Sequence, residues 1–221
     1  NGWYWPQNTH PFAGLDVTWA SSGKTNAWGY NQATVTDSAL RMTNPVTVPA
    51  NAYLHFRHAY LFEYNPLNGG TFDGGVLEYS TGGASGPWKD AKPLMAAPGG
   101  GGTYNGTIYD RYGNPLGGRS AFVGSSHGYG STRVDLGSLA GQSVMFRWRV
   151  GSDSELDAYG WFVDDPRIVD CGADTTASET KLVKKPKKTT TSRKAVFTYT
   201  ATEVGSTFQC KVDKKAWKKC G

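Results

Sequence analysis

The sequence predicts an all-β chain, built as an antiparallel β-sandwich followed by a second, smaller β unit. Three observations carry this. Helical periodicity is nearly absent. Apolar and aromatic residues alternate or run together in short segments, and Gly, Pro and Asn interrupt them at short intervals across all 221 residues. Many short strands separated by turn signals favour antiparallel sheets over a parallel, helix-covered sheet.

Each element has its own reason. Tyr53–Tyr64, YLHFRHAYLFEY, is apolar at both parities and predicts a strand buried on both faces. Gly75–Ser80 alternates Val76, Glu78 and Ser80 against Leu77 and Tyr79, then stops at Thr81-Gly82-Gly83. In Ser143–Val150, Val144, Phe146, Trp148 and Val150 fall on one side and Met145, Arg147 and Arg149 on the other, a half-buried strand. Gly160–Val169 is a further strand, in which Pro166 predicts an edge or a bulge. Lys194–Ala201 and Thr207–Val212 continue the theme. The Gly-rich stretch Lys92–Gly118 is too irregular for a central strand and predicts a long loop or short hairpins. Its Tyr104, Tyr109, Arg111 and Tyr112 are candidate ligand-stacking residues, with pinning of the loop as the alternative.

Charge divides the chain. Residues 1–171 hold 11 Lys/Arg against 14 Asp/Glu, a net −3, and residues 172–221 hold 12 against 4, a net +8. Seven of the eight Trp precede Cys171, so a domain boundary is expected near Cys171–Ala173. The basic segment suits adhesion to an acidic surface; a solvated edge that keeps a small β domain soluble is the alternative. No apolar run approaches the ~18 residues that span a membrane, and no signal-like segment opens the chain, as in a mature product or an excised piece. Of three cysteines, Cys210 and Cys220 are ten apart and could bridge locally, leaving Cys171 over; reduced thiols fit the count equally.

The motifs that are missing exclude several enzyme classes. The chain has no H-E-x-x-H, no G-x-S-x-G elbow and no phosphate-cradling loop. His55 and His58, three apart on a strand, point to opposite faces and are expected to be structural rather than metal-ligating. Carboxylates do cluster: Glu63, Asp73 and Glu78 in one set, Asp153, Glu155 and Asp157 in another, with Asp164 and Asp165 close behind. Oxygen-rich loops between strands suit Ca²⁺. The Asp153–Asp157 spacing is no EF-hand, because Ala158 stands at the turn position and no helices flank it. A glycosidase carboxylate pair is the alternative use of these residues.

A family resemblance emerges from FDGGVLEYSTGG (Phe72–Gly83), YNGTI (Tyr104–Ile108) and GNPLGGRSAFVG (Gly113–Gly124), with TRVDLGSLAGQSVMFRWRVGSD (Thr132–Asp153) and GWFVDDPRIVDC (Gly160–Cys171) following in order. Over roughly residues 35–171 this resembles the jelly-roll, MAM-like domain downstream of secreted bacterial peptidases of the immune inhibitor A group. The resemblance implies a jelly-roll β-sandwich over residues 1–171 with structural Ca²⁺ and no active site. By position it implies Glu63, Asp73 and Asp164 as ligands, with Asp153 and Asp157 as further ones. Two departures stand out: Ala84 alters the turn after Gly83, and Pro166 replaces the usual valine after Asp164-Asp165.

Residues 172–221, from DTTASET to STFQCKVDKKAWKKC, resemble an Ig-like repeat of secreted actinobacterial proteins. This implies a linker and a small, incomplete Ig-like domain with a Cys210–Cys220 bridge. Both resemblances imply an extracellular location. The leading functional expectation is a non-catalytic, calcium-stabilised accessory module of a secreted hydrolase, a peptidase by resemblance, that docks or captures substrate. Its partners would be the rest of a larger secreted polypeptide, including a catalytic domain, and a polysaccharide or cell-wall polymer, with no specific nucleic acid. The alternatives are a carbohydrate-binding module using exposed Trp3, Trp5, Trp19, Trp28 and Trp88, and a structural or adhesive surface segment. Buried indoles would favour the accessory role; coplanar exposed rings would favour sugar.

Overall fold

The computed structural model describes residues 2–4, 20–95, 102–170, 178–189, 191–202 and 206–220. The chain divides into two compact units, Asn1–Gly172 and Ala173–Gly221, at the place where the charge changes sign.

The first unit contains eight principal strands: β1 (Ala27–Asn31), β2 (Thr36–Arg41), β3 (Ala52–Leu61), β4 (Gly74–Ser80), β5 (Ser120–Val123), β6 (Gly130–Asp135), β7 (Ser143–Ser152) and β8 (Ala158–Asp170). One sheet runs β1-β8-β3-β6, with Trp3–Tyr4 at its edge beside β1. The other runs β5-β4-β7-β2, extended by the short Gly106–Thr107, Val46–Thr47 and Lys89–Asp90 pairings. The pairing is antiparallel throughout. Strand orders 1-8-3-6 and 5-4-7-2 are those of a jelly roll. The predicted fold class is therefore observed.

Alternation builds the core. On β7, Val144, Phe146, Trp148 and Val150 are buried inward, as the sequence predicts, and Met145 is buried too. Phe56 of β3 meets Trp148 edge-on at 5.5 Å, and Phe122 of β5 lies 5.5 Å from Trp161 of β8. Gly75 is required here, since a Cβ on it would stand 2.4 Å from the Trp161 ring. β3 differs from expectation. Its even-numbered residues from Ala52 to His58 are buried, but Tyr53 and His55 are half-buried and Arg57 exposed. Among the described residues the second face carries flat side-chain contacts, such as Arg133 lying 3.6 Å over the Tyr53 ring, and a small buried cluster of Trp28, Ala59 and Phe162. Pro166 behaves as predicted. The β8–β3 register shifts between Asp164 and Arg167, and Asp165 takes φ 49°, so the bulge absorbs the missing N–H.

His58 and His55 point to opposite faces as expected, and His58 is structural. Trp161 Nε1 donates to its Nδ1 at 3.1 Å. Its Nε2 therefore carries the proton and donates to Thr132 Oγ1 at 2.9 Å, and that hydroxyl in turn donates to Gly102 O at 2.7 Å. A second proton would set an N–H against the indole N–H. Burial pushes the imidazole down to about 3.

On the outer face of the β5-β4-β7-β2 sheet, Glu78 is buried under three arginines: Arg147 at 2.5 Å, Arg119 at 2.6 Å and Arg149 at 3.3 Å. Asp90 and Asp37 complete the network, and Arg147 lies 4.4 Å over the Trp88 ring. Burial alone would raise the Glu78 carboxyl, but the hydrogen bonds from Arg119 and Arg147 outweigh it and hold it below its usual range. Glu78 therefore does not belong with Glu63 and Asp73, the set in which its position in the chain had placed it.

The described residues of the second unit form two hairpins. β9 (Thr180–Lys184) pairs with β10 (Thr198–Ala201), and β11 (Phe208–Cys210) pairs with β12 (Lys218–Cys220). Cys210 and Cys220 form a disulfide with a Cα–Cα distance of 5.8 Å, inside the usual span. Tyr199 packs edge-on against Phe208 at 4.6 Å. Cys171 lies outside the described residues. No helix among the described residues is long and apolar enough to cross a membrane.

The neutral His58 predicts a pH dependence of stability. The unfolded imidazole binds a proton near pH 6.5 and the folded one only near 3, so stability falls as pH drops through that window, by up to ~1.4 kcal/mol per pH unit. In urea denaturation at pH 7 and pH 5, His58→Gln should remove roughly 2 kcal/mol of the wild type's loss. An unchanged difference would contradict a buried His58 that stays neutral in the folded state.

Candidate metal centre

The jelly roll brings three strand ends together at one end of the sandwich. Glu63 follows β3 by two residues, Asp73 immediately precedes β4, and Asp153 immediately follows β7. The β7–β4 register ends at Gly151 opposite Gly74, which places Asp153 beside Asp73. Asp153 N donates to Asp73 Oδ1 at 2.7 Å. One carboxylate oxygen from each of Glu63, Asp73 and Asp153 lies within 4.8 Å of the others. Asp73 and Asp153 are 0% and 1% exposed, and Glu63 is half-buried at the mouth.

Two asparagines that the sequence reading did not single out hold this arrangement. Asn31, the last residue of β1, donates from Nδ2 to Asp73 Oδ2 at 2.6 Å and accepts Glu63 N on Oδ1 at 3.2 Å. Asn114 shares its Nδ2 among Asp73 Oδ1 at 3.0 Å, Phe72 O at 2.9 Å and Gly151 O at 2.9 Å, while its Oδ1 accepts Leu116 N at 2.8 Å. Gly151 permits this approach, because a Cβ there would stand 2.5 Å from Asn114 Oδ1. The only available signal was the position of Asn114 inside GNPLGG; an uncharged amide has no spacing pattern of its own.

The electrostatics are lopsided. Among the described residues no lysine or arginine pairs with Glu63, Asp73 or Asp153, whereas Glu78 has three arginines. At ~5 Å and an effective dielectric of ~20, each pair of like charges repels by about 3 kcal/mol. Burial, with the Asp153 and Glu63 charges adding to it, pushes the Asp73 carboxyl up to about 7 against the hydrogen bonds from Asn31 and the Asp153 amide. Burial, with Asp153 and Glu155 adding to it, also raises Glu63 against the Leu156 N–H. A proton or a cation relieves the strain. An all-oxygen donor set suits a hard divalent ion such as Ca²⁺ and does not suit zinc. A depression of about 400 Å³ opens beside Glu63, lined also by Leu61, Tyr64, Leu156, Asp157 and Tyr159.

Two of the five predicted ligands lie elsewhere. Asp157 lines that depression and accepts Tyr30 Oη at 2.8 Å, outside the three-carboxylate cluster. Asp164 stands opposite Arg57, six positions before Glu63, or roughly 20 Å of extended chain away. Its carboxylate caps a loop, accepting Ser21 N at 2.7 Å, Ser21 Oγ at 3.0 Å and Ser22 N at 3.1 Å, with Asp165 N on the other oxygen. Asp164 is thus an anchor for the segment before β1 and no partner of Glu63 and Asp73.

The ligand-stacking set also divides. Tyr104 is buried; its Oη donates to Leu77 O at 3.1 Å and accepts Leu77 N at 2.8 Å, so it bridges to β4 instead of facing solvent. Tyr109 and Tyr112 are 42% and 47% exposed and stand edge-on to Phe72 at 79° and 65°, with Arg111 lying 5.3 Å over Tyr109. They form no coplanar platform. Of the tryptophans named above, Trp3 and Trp28 are buried and Trp88 is half-buried under Arg147, while Trp5 and Trp19 lie outside the described residues.

A scan against protein-family models finds no match, and a search of curated proteins finds none either.

The asparagine clamp is testable by itself. Asn114→Ala removes one donor each from Asp73 Oδ1, Phe72 O and Gly151 O and the acceptor of Leu116 N, and should cost about 2–3 kcal/mol in chemical denaturation. A loss below ~0.5 kcal/mol would contradict the clamp.

Proposed function

We propose that this chain is a non-catalytic accessory module of a secreted bacterial hydrolase, a peptidase by its resemblance, in which Ca²⁺ held by Glu63, Asp73 and Asp153 stabilises the domain for docking or substrate capture. The observation that carries the reading is the convergence of three carboxylates, two of them fully buried, without a counter-cation among the described residues. A buried carboxylate normally has a paired cation, and this one has only amides. Asp73 and Asp153 are too enclosed to touch a substrate, which supports a structural role over a glycosidase pair. The buried indoles of Trp3 and Trp28 support the accessory role over a sugar-stacking groove. The Cys210–Cys220 bridge is in keeping with an oxidising, extracellular setting.

When bound, Ca²⁺ would supply charge neutralisation that ties together the ends of β3, β4 and β7. Because the ion binds the folded chain alone, its binding free energy adds to stability. At a concentration ~100 times Kd the gain is about 2.7 kcal/mol, or roughly 5–10 °C in Tm for a domain of this size. Thermal melts of the full chain with calcium and with chelator, at matched ionic strength, should differ by that amount. Glu63→Gln should lose the difference while melting no lower than wild type in chelator, since it removes one repelling charge. Identical wild-type melts under both conditions would overturn the proposal.

A further inference from the structure

The second unit presents a charge surface that the cation site does not explain. Twelve lysines and arginines lie in residues 172–221, and all twelve are exposed. The ion pairs of the described residues all fall between Asp37 and Arg167, so none of these twelve has an acidic partner among them. The cations occupy three stretches: β9 and the residues after it (Lys181–Lys188), Arg193–Lys194, and the disulfide-closed hairpin (Lys211–Lys219). The hairpin also exposes an indole. Trp217 is 63% exposed, and Lys211 Nζ lies 5.7 Å from its ring centroid.

We infer that this unit is a docking surface for an acidic polysaccharide, a linear glycan carrying carboxylates along its chain. Four features argue for this class. A few lysines suffice to protect a strand edge from mispairing; twelve cations against four acidic residues, a net +8, create a field that concentrates a polyanion. Eleven of the twelve are lysine, whose compact, flexible point charges suit diffuse contact along a polyanion, where a fixed, bidentate grip on single anionic groups would favour arginine. An exposed indole among lysines offers the apolar face of a sugar ring a stacking partner. The Cys210–Cys220 bridge holds β11 against β12, so the loop needs little further ordering on binding. The inference is independent of the calcium reading.

The test is equilibrium binding of the full chain to polygalacturonate, beside inorganic polyphosphate and anionic-lipid vesicles. Polygalacturonate should bind at 50 mM NaCl and weaken about tenfold or more by 200 mM. Lys214→Glu/Lys215→Glu should weaken binding about tenfold, while Lys24→Glu/Lys89→Glu, with the same change in net charge on exposed residues of the first unit, should change it less than about twofold. Trp217→Ala should weaken polygalacturonate binding and leave polyphosphate binding unchanged. An intact Cys210–Cys220 bridge and an unaltered melt establish that each variant is folded. Absence of polygalacturonate binding at 50 mM NaCl, equal losses in the two double variants, Trp217→Ala acting alike on both polymers, or binding confined to polyphosphate or to vesicles would each overturn the inference.

Discussion

The buried carboxylate of Asp73 is the constraint around which this end of the sandwich is organised. Among the described residues it has no side-chain cation; the amides of Asn31 and Asn114 and the backbone of Asp153 fix it, with two more carboxylates at close range. The hydrogen bonds orient the group, but they do not neutralise it. Burial raises the free energy of the charged form, and so do its neighbours. The protein holds the opposite solution a few residues away. Glu78, on the outer face of the same strand, is just as enclosed but sits under three arginines, and its carboxyl is held low. Two buried acids five residues apart thus differ in their surroundings: Glu78 is neutralised by arginines, and Asp73 is held by amides.

Topology explains why the three acids meet. In a jelly roll, neighbours in the sheet are distant in sequence, so the ends of β3, β4 and β7 collect residues some ninety positions apart. Among the described residues each donor to Asp73 comes from another strand end or loop: Asn31 at the end of β1, Asn114 from the turn before β5, and Asp153 after β7. An ion bound there would add a link between segments that already meet through strand pairing and the amides of Asn31 and Asn114.

Much of this was legible in the sequence, for reasons that differ by element. The inward set on β7 was legible because a strand with one wet face must alternate, and the bulge at Pro166 because a residue without an N–H cannot sit in a continuous ladder. The break near residue 172 was legible from charge alone. β1, β2, β5 and β6 have weaker patterns. β1 is AWGYN, where Gly29 lies under Trp3 and no long apolar alternation develops. Tyr104 was misplaced because a tyrosine in a Gly-rich stretch looks the same whether its hydroxyl meets water or, as here, the backbone of Leu77.

The site was half legible. Glu63, Asp73 and Asp153 were named, and they do converge; Asp164 was named with them, and it caps Ser21 and Ser22 instead. Composition marks a carboxylate as polar but does not say which sheet end it occupies, and only the β8–β3 register separates Asp164 from Glu63. Asn31 and Asn114 were passed over because neutral amides draw no attention in a search for charge, although they define the geometry. The most direct measurement is a crystal structure of the chain grown with calcium. The account predicts an ion between Glu63, Asp73 and Asp153 with oxygen distances of about 2.3–2.6 Å; a water molecule or a hydrogen-bonded, protonated Asp73 at that position would contradict it.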